Sequence, residues 1–179
     1  MRDNDLIRLF LPIIQQGLID YGFQDVTTKQ SNQPTLQGVN TNPTVYFFKV
    51  ADHRYGFLYR EDIWDANASV MRHTESQQYE TTFQVSALVL QNPKNPYGYT
   101  ASDLVNSVAA IMQSDSTIET LENAGVGILR VIQVQNPYFM DDRDQFEASP
   151  SFDFVLTHKQ TRVTTNPVIE SYEFNINRV

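Results

Sequence analysis

An α+β fold, an antiparallel β-sheet with helices packed on one face, is the architecture this 179-residue sequence predicts. Three observations carry it. Apolar residues recur at helical spacing at the start of the chain and again after Thr100; between and after these stretches they alternate with period two; and the order reads helix, three strands, helix pair, three strands. Hydrophobic residues make up 41% and aromatics 12%, with 11 Phe and 9 Tyr, which is enough to bury a core in a single domain covering residues 1–179.

The first helix starts at Asp3 to Asp5, whose carboxylates suit a helix N-terminus, and runs to Tyr21-Gly22. Leu6, Phe10, Ile13 and Leu18 form its stripe, and Pro12 predicts a kink. Residues 27–43 are rich in Gln, Asn, Thr and Ser and read as an extended loop. Tyr46, Phe48 and Val50 alternate, then Tyr55, Phe57 and Tyr59 do so again after Asp52-His53, which reads as a β-hairpin turning at that pair. The pattern is lost over residues 60–77, read as a long excursion. It returns in the strand Tyr79 to Gln91, where Leu88 and Leu90 make both faces apolar and the second half more buried.

Residues 92–98 are dense in turn formers. Thr100 with Asp103 then has the layout of a capping box, starting a helix whose stripe is Leu104, Val108, Ile111 and Met112. Ser116 with Glu119 repeats the cap for a short helix that Gly125 terminates. Residues 126–134 read as a strand and residues 135–150 as a loop. Phe152, Phe154 and Leu156 open a further strand continuing through Arg162, and residues 168–176 supply the last, with Tyr172, Phe174 and Ile176 inward.

Several function classes are set aside by count. Without cysteine there is no disulfide framework, thiolate zinc site or cysteine nucleophile. His53, His73 and His158 stand in three separate stretches with no metal-ligand spacing, and the 7 scattered glycines make no phosphate-binding loop. A net charge of -8 without a basic run argues against a phosphate-gripping surface, while permitting a wall that DNA slides past. No secretory leader and no membrane-spanning run is expected. Asp141, Asp142 and Asp144 are the best carboxylates for a hard cation, yet they lack the glycine and glutamate positions of the calcium loop, so a solvated loop with Arg143 pairing its neighbours is favoured. No catalytic residue, metal or cofactor is assigned.

Trp64, near Asp62, and the run Tyr138-Phe139-Met140 put large apolar side chains in predicted loops, where either the protein's own core or a partner must cover them.

From Gln135 onward, Asn136-Pro-Tyr-Phe139, Asp141-Asp142-Arg143-Asp144-Gln-Phe146 and Pro150-Ser-Phe-Asp-Phe154-Val-Leu-Thr157-His158 resemble the C-terminal part of phage neck and tail terminator proteins: an aspartate-rich loop, then a strand of the form F-D-F-x-L. The layout is similar over most of the chain. The resemblance implies a non-enzymatic virion protein of the neck, made in the host cytoplasm. It would form a homo-oligomeric ring, by analogy a hexamer, that caps the tail tube. It would touch tail tube and sheath proteins and the neck or head-completion proteins, and let DNA through its lumen without specific binding. A ring needs heterologous, closing interfaces. The candidates are Asp62, Trp64, Met71 and Arg72, in a hairpin reaching across a neighbour, and Tyr138, Phe139, Asp141, Asp142 and Arg143. Competing readings are a carboxylate-based hydrolase or carbohydrate-binding protein using Asp141, Asp142 and Glu147, and a monomeric adaptor that takes up an extended strand.

Overall fold

A computed structural model describes residues 1–31, 42–90, 97–131, 133–140 and 146–167. Its elements are α1 (Asp3–Asp20), β1 (Thr27–Gln30), β2 (Thr44–Asp65), β3 (Val70–Leu88), α2 (Ala101–Met112), α3 (Asp115–Asn123), β4 (Val126–Ile128), β5 (Tyr138–Met140), β6 (Phe146–Ala148) and β7 (Ser151–Pro167). A five-stranded sheet has the order β1-β2-β3-β7-β4, and β5 and β6 form a separate pair. The fold is α+β. One pair departs from the antiparallel expectation, since β1 runs parallel to β2.

Period-two alternation places Val45 and Phe47 of β2, Phe83, Val85 and Ala87 of β3, and Phe152, Phe154 and Leu156 of β7 on one face, all buried. Helix α1 lays its stripe of Leu6, Phe10, Ile14 and Leu18 on that face. Phe10 is the centre of the packing: its ring meets those of Phe47, Phe83 and Phe154 edge-on, with centroids 5.3, 5.1 and 5.4 Å away. Helix α2 adds Leu104, Val105, Val108, Ile111 and Met112 to the same core. It lies close to α1 because Gly17 has no side chain, and a Cβ there would come within 2.7 Å of Ile111.

The caps follow local chemistry. Asp5 Oδ2 accepts from the Arg2 amide at 3.0 Å at the start of α1, which continues unbroken through Pro12. Thr100 and Asp103 form the capping box of α2 as the sequence predicts. The α3 cap is Ser114 rather than Ser116, its hydroxyl accepting from the Thr117 amide, and Gly125 ends the turn at φ 73°.

Other expectations are corrected. Residues Thr27–Gln30, read as loop, are a strand; the rest of 27–43 lies largely outside the described residues. No turn occurs at Asp52-His53: β2 runs on to Asp65 and the hairpin closes there, with the Asp65 carboxylate accepting from the Asn67 and Ala68 amides at 3.1 and 3.2 Å. The misreading has a physical cause, a bulge at Val50 that shifts the phase of alternation. Residues 60–77 are therefore strand and tight turn, not an irregular excursion. Leu88 and Leu90 are exposed, so only one face at that end of β3 is covered. The strand read over 126–134 is confined to Val126–Ile128, and the loop read over 135–150 contains β5 and β6. The strand expected at 168–176 lies outside the described residues.

Candidate assembly surface

The core ends before the strands do. Beyond Thr81 of β3 and His158 of β7, strands β2, β3 and β7 continue together, paired as far as Asp65, Val70 and Pro167. Eleven residue steps from Thr81 to Val70 make an arm roughly 36 Å long. Among the described residues no helix crosses it, and every residue from 51 to 64 is exposed. Tyr55, Tyr59, Ile63, Trp64, Met71 and Val163 all stand at least partly in solvent, and Phe57 is 101% exposed. Phe57 sits where three residues of β2, Gly56 to Leu58, bulge out between Tyr55 and Tyr59. The Gln77 amide fills the bulge from behind, donating to the Tyr55 carbonyl at 2.8 Å.

Register sorts the arm into two faces. One carries Arg60, Asp62 and Trp64 opposite Glu75, His73 and Met71. His73 Nδ1 lies 2.5 Å from Asp62 and its Nε2 lies 3.5 Å from Glu75, and Arg60 reaches Glu75 at 3.4 Å. The hydrogen bond to Asp62, with help from Glu75, holds the His73 pKa above its ordinary value. The other face carries Tyr59 and Ile63 of β2 and Val163 of β7, together with Arg72, which pairs with Asp65 at 2.9 Å.

A polar network roots the arm. Lys49 bridges Asp3 of α1 and Asp52 of β2 at 2.8 and 2.5 Å. Asp52 accepts from the Thr81 hydroxyl at 2.8 Å, and Thr81 lies 3.0 Å from His158 Nε2. Because Thr81 spends its proton on Asp52, its oxygen accepts from His158, which fixes the Nε2–H tautomer. His158 is buried and stacks on Tyr79 at 5.7 Å, over which lies Arg54. Its Nδ1 has no hydrogen-bond partner among the described residues. Burial, followed by the nearby N-terminal ammonium, pushes its pKa below the ordinary value. Burial opposes the charges of Lys49 and Asp52, but their hydrogen bonds win, raising the Lys49 pKa and lowering that of Asp52.

The structure thus brings Asp62, Trp64, Met71 and Arg72 together at the end of one hairpin, with Trp64 and Met71 directly paired. It does not bring Tyr138 and Phe139 to them. Those two belong to β5, whose partner β6 contains Glu147. Asp141, Asp142 and Arg143 lie outside the described residues. Sequence reasoning missed Phe57, Ile63 and Val163 as surface residues. The available signal was the adjacency of apolar residues to charged ones on both faces of residues 54–65, which fits a strand without a core on either side.

Among the described residues there is no cluster of three or more histidine or carboxylate side chains able to hold a metal. A groove of about 440 Å³ between α1 and the α2–α3 pair is lined by residues that include Ile13, Gln16, Gly17, Ile111, Ser116 and Thr120, with no paired carboxylates or nucleophile and base among them. No helix among the described residues is long and apolar enough to cross a membrane.

No curated protein matches the chain. A family model, the E217 gateway protein gp29, matches residues 5–168, leaving out only four residues at one end and eleven at the other. This chain belongs to that family of phage head-tail gateway proteins and is a structural phage neck or connector protein.

Proposed function

We propose that this protein closes into a ring, six-fold by analogy, that caps the tail tube and joins it to the head connector while DNA passes through the lumen. The observation that carries the reading is the arm. A three-stranded sheet some 36 Å long with neither face covered by a described element is not stable by its own packing, since an isolated sheet needs a hydrophobic face buried against something. The molecule therefore presents a large surface awaiting a partner, attached to a well-packed body.

A neck ring uses such a surface twice. Lateral contacts between copies close the ring, and axial contacts meet the tail tube and sheath below and the neck or head-completion proteins above. Asp62, Trp64, Met71 and Arg72 are the contact residues on the arm; Tyr138, Phe139, Asp141, Asp142 and Arg143 are the second set. The chain's charge of -8 suits a lumen that repels the phosphate backbone rather than gripping it. No catalytic step is required of it.

Two measurements test this together: light scattering coupled to size exclusion over a range of concentrations, and imaging of particles made without the chain. Rings in solution or at the head-proximal end of tails, with tubes of irregular length when the chain is missing, are the expected result. A monomer absent from particles, or tails of normal length that join heads without it, would refute the proposal.

A further inference from the structure

The geometry points to strand addition between neighbouring copies: the free edge of β7 in one arm pairs with the free edge of β2 in the next, making a continuous sheet around the ring. This inference rests on the ring reading. It follows from three features of the arm.

Among the described residues the two edges are open over a shared stretch of the arm. β1 covers β2 only from Thr44 to Phe47, and β4 covers β7 only from Leu156 to His158. The N-terminal ammonium of Met1 donates to the Lys159 carbonyl at 3.2 Å, and beyond it β7 has no further neighbour among the described residues. Arg54 and His158 both flank Tyr79, and Asp65 and Pro167 both flank Val70. The β2 edge is uncovered from Phe48 and the β7 edge from beyond His158, so the two share an uncovered stretch from the level of Tyr79 to that of Val70, each presenting alternate backbone N–H and C=O groups.

Direction favours a cyclic arrangement. Since β2 and β7 are each antiparallel to β3, both run outward from the body. A β7–β2 pair between copies is parallel, with the two arms pointing the same way, as rotation about a single axis requires. Pairing β2 with β2 across a two-fold axis would point the arms in opposite directions.

Charge selects the same pairing. Residues 51–65 of β2 carry Asp52, Glu61, Asp62 and Asp65 against Arg54 and Arg60, whereas residues 159–167 of β7 carry Lys159 and Arg162 and no carboxylate. An acidic edge and a basic edge attract each other and repel their own kind, which favours a heterologous contact over an isologous one. The bulges at Val50 and at Gly56 to Leu58 interrupt the β2 edge, as edges that must avoid indiscriminate partners are interrupted.

The absence of cysteine makes the test direct. Asp62 and Thr164 flank His73 from either side. In one copy they stand two strands apart, roughly 9–10 Å, too far for a disulfide within the chain. The full-length double variant Asp62→Cys with Thr164→Cys, mildly oxidised, should give a ladder of covalent multimers ending at the ring, and each single variant should stay monomeric on a denaturing gel. Pairing Asp62→Cys with Arg162→Cys or Asn166→Cys covers a stagger of two residues either way. Reversing Lys159 and Arg162 to Glu should weaken association at least tenfold, and adding Glu61→Lys with Asp62→Lys should restore it.

Dimers from a single variant would mean isologous edges and overturn the inference. Rings seen by scattering with no ladder from any double variant, or a charge reversal without effect, would overturn the strand pairing and leave the ring intact. A chain monomeric both in solution and on tails would overturn both.

Discussion

Phe57 separates assembly from folding cleanly. Its ring is fully in solvent, at 101% exposure, in a bulge whose backbone is held by Gln77 rather than by the ring itself. Replacing it with Ser removes nothing the monomer buries, so folding stability should move by no more than about 0.5 kcal/mol, the usual range for surface substitutions. Burying a Phe side chain at a contact is worth about 1.5–3 kcal/mol relative to leaving it exposed. If the arm is the contact, Phe57→Ser should therefore weaken each subunit contact roughly 10- to 150-fold. The assay is a concentration series by light scattering, with urea unfolding of the same preparation as the control. A drop in monomer stability of several kcal/mol would show that the ring packs inside the molecule. An unchanged midpoint of association would show that this part of the arm touches nothing.

Four further outcomes are expected. Phe10→Ala, which empties a site touched by three rings, should cost about 3–5 kcal/mol in urea unfolding and leave the arm's chemistry untouched. Proton NMR should find His73 titrating above 6.5 and His158 below it, and the reverse order would contradict the geometry. His158 then costs stability as pH falls below 6.5, where the unfolded chain binds a proton that the fold resists, whereas the contribution of His73 is present below 6.5 and lost as pH rises through its folded value. Thr81→Val strips the hydroxyl from both Asp52 and His158 and should cost about 1–3 kcal/mol, with no loss if the network is incidental. Added calcium should leave the melting temperature of the wild type and of the triple Asn variant at Asp141, Asp142 and Asp144 unchanged, and a rise confined to the wild type would reinstate a metal site.

The parts of the fold legible in the sequence are those where one side of an element is dry. α1 and α2 show their stripes because each lies on the sheet, and the Thr100–Asp103 box is visible because the capping chemistry is local. Phe152, Phe154 and Leu156 alternate because one face of β7 is core. The arm was misread for the same reason in reverse. With no described residue covering either side of β2 past Tyr59, selection for a buried face is absent and period two is lost over residues 60–77, so strand reads as excursion there. Thr27–Gln30 is all polar, and what makes it a strand is the edge of β2 beside it, which no local pattern announces. Of the candidate contact residues, the sequence singles out Trp64 as a large apolar side chain in a predicted loop and Met71 with it through the resemblance; the structure puts the two opposite each other, exposed. Phe57 is not singled out, because Tyr55, Phe57 and Tyr59 mimic the alternation of a strand with one dry face.

The same contrast explains why the root of the arm is polar and the body is not. A projecting sheet transmits load to its body only if its base cannot pivot, and at the base the hydrophobic core is already running out: Phe83 and Phe154 give way to Thr81 and then to Tyr79 and His158. Apolar packing is non-directional and would tolerate a tilt. Hydrogen bonds and ion pairs are directional, and here they chain Asp3 of α1 through Lys49, Asp52 and Thr81 to His158, so that the helix, β2, β3 and β7 are fixed to one another at a single level. Lys49 sits on the last residue pair before the bulge at Val50, where β2 would otherwise be freest to swing. A protein that worked as a free monomer would have little use for a braced, uncovered lever of this length. One that must present its arm to a neighbour at a fixed angle, copy after copy, would need both the bracing and the bare surface.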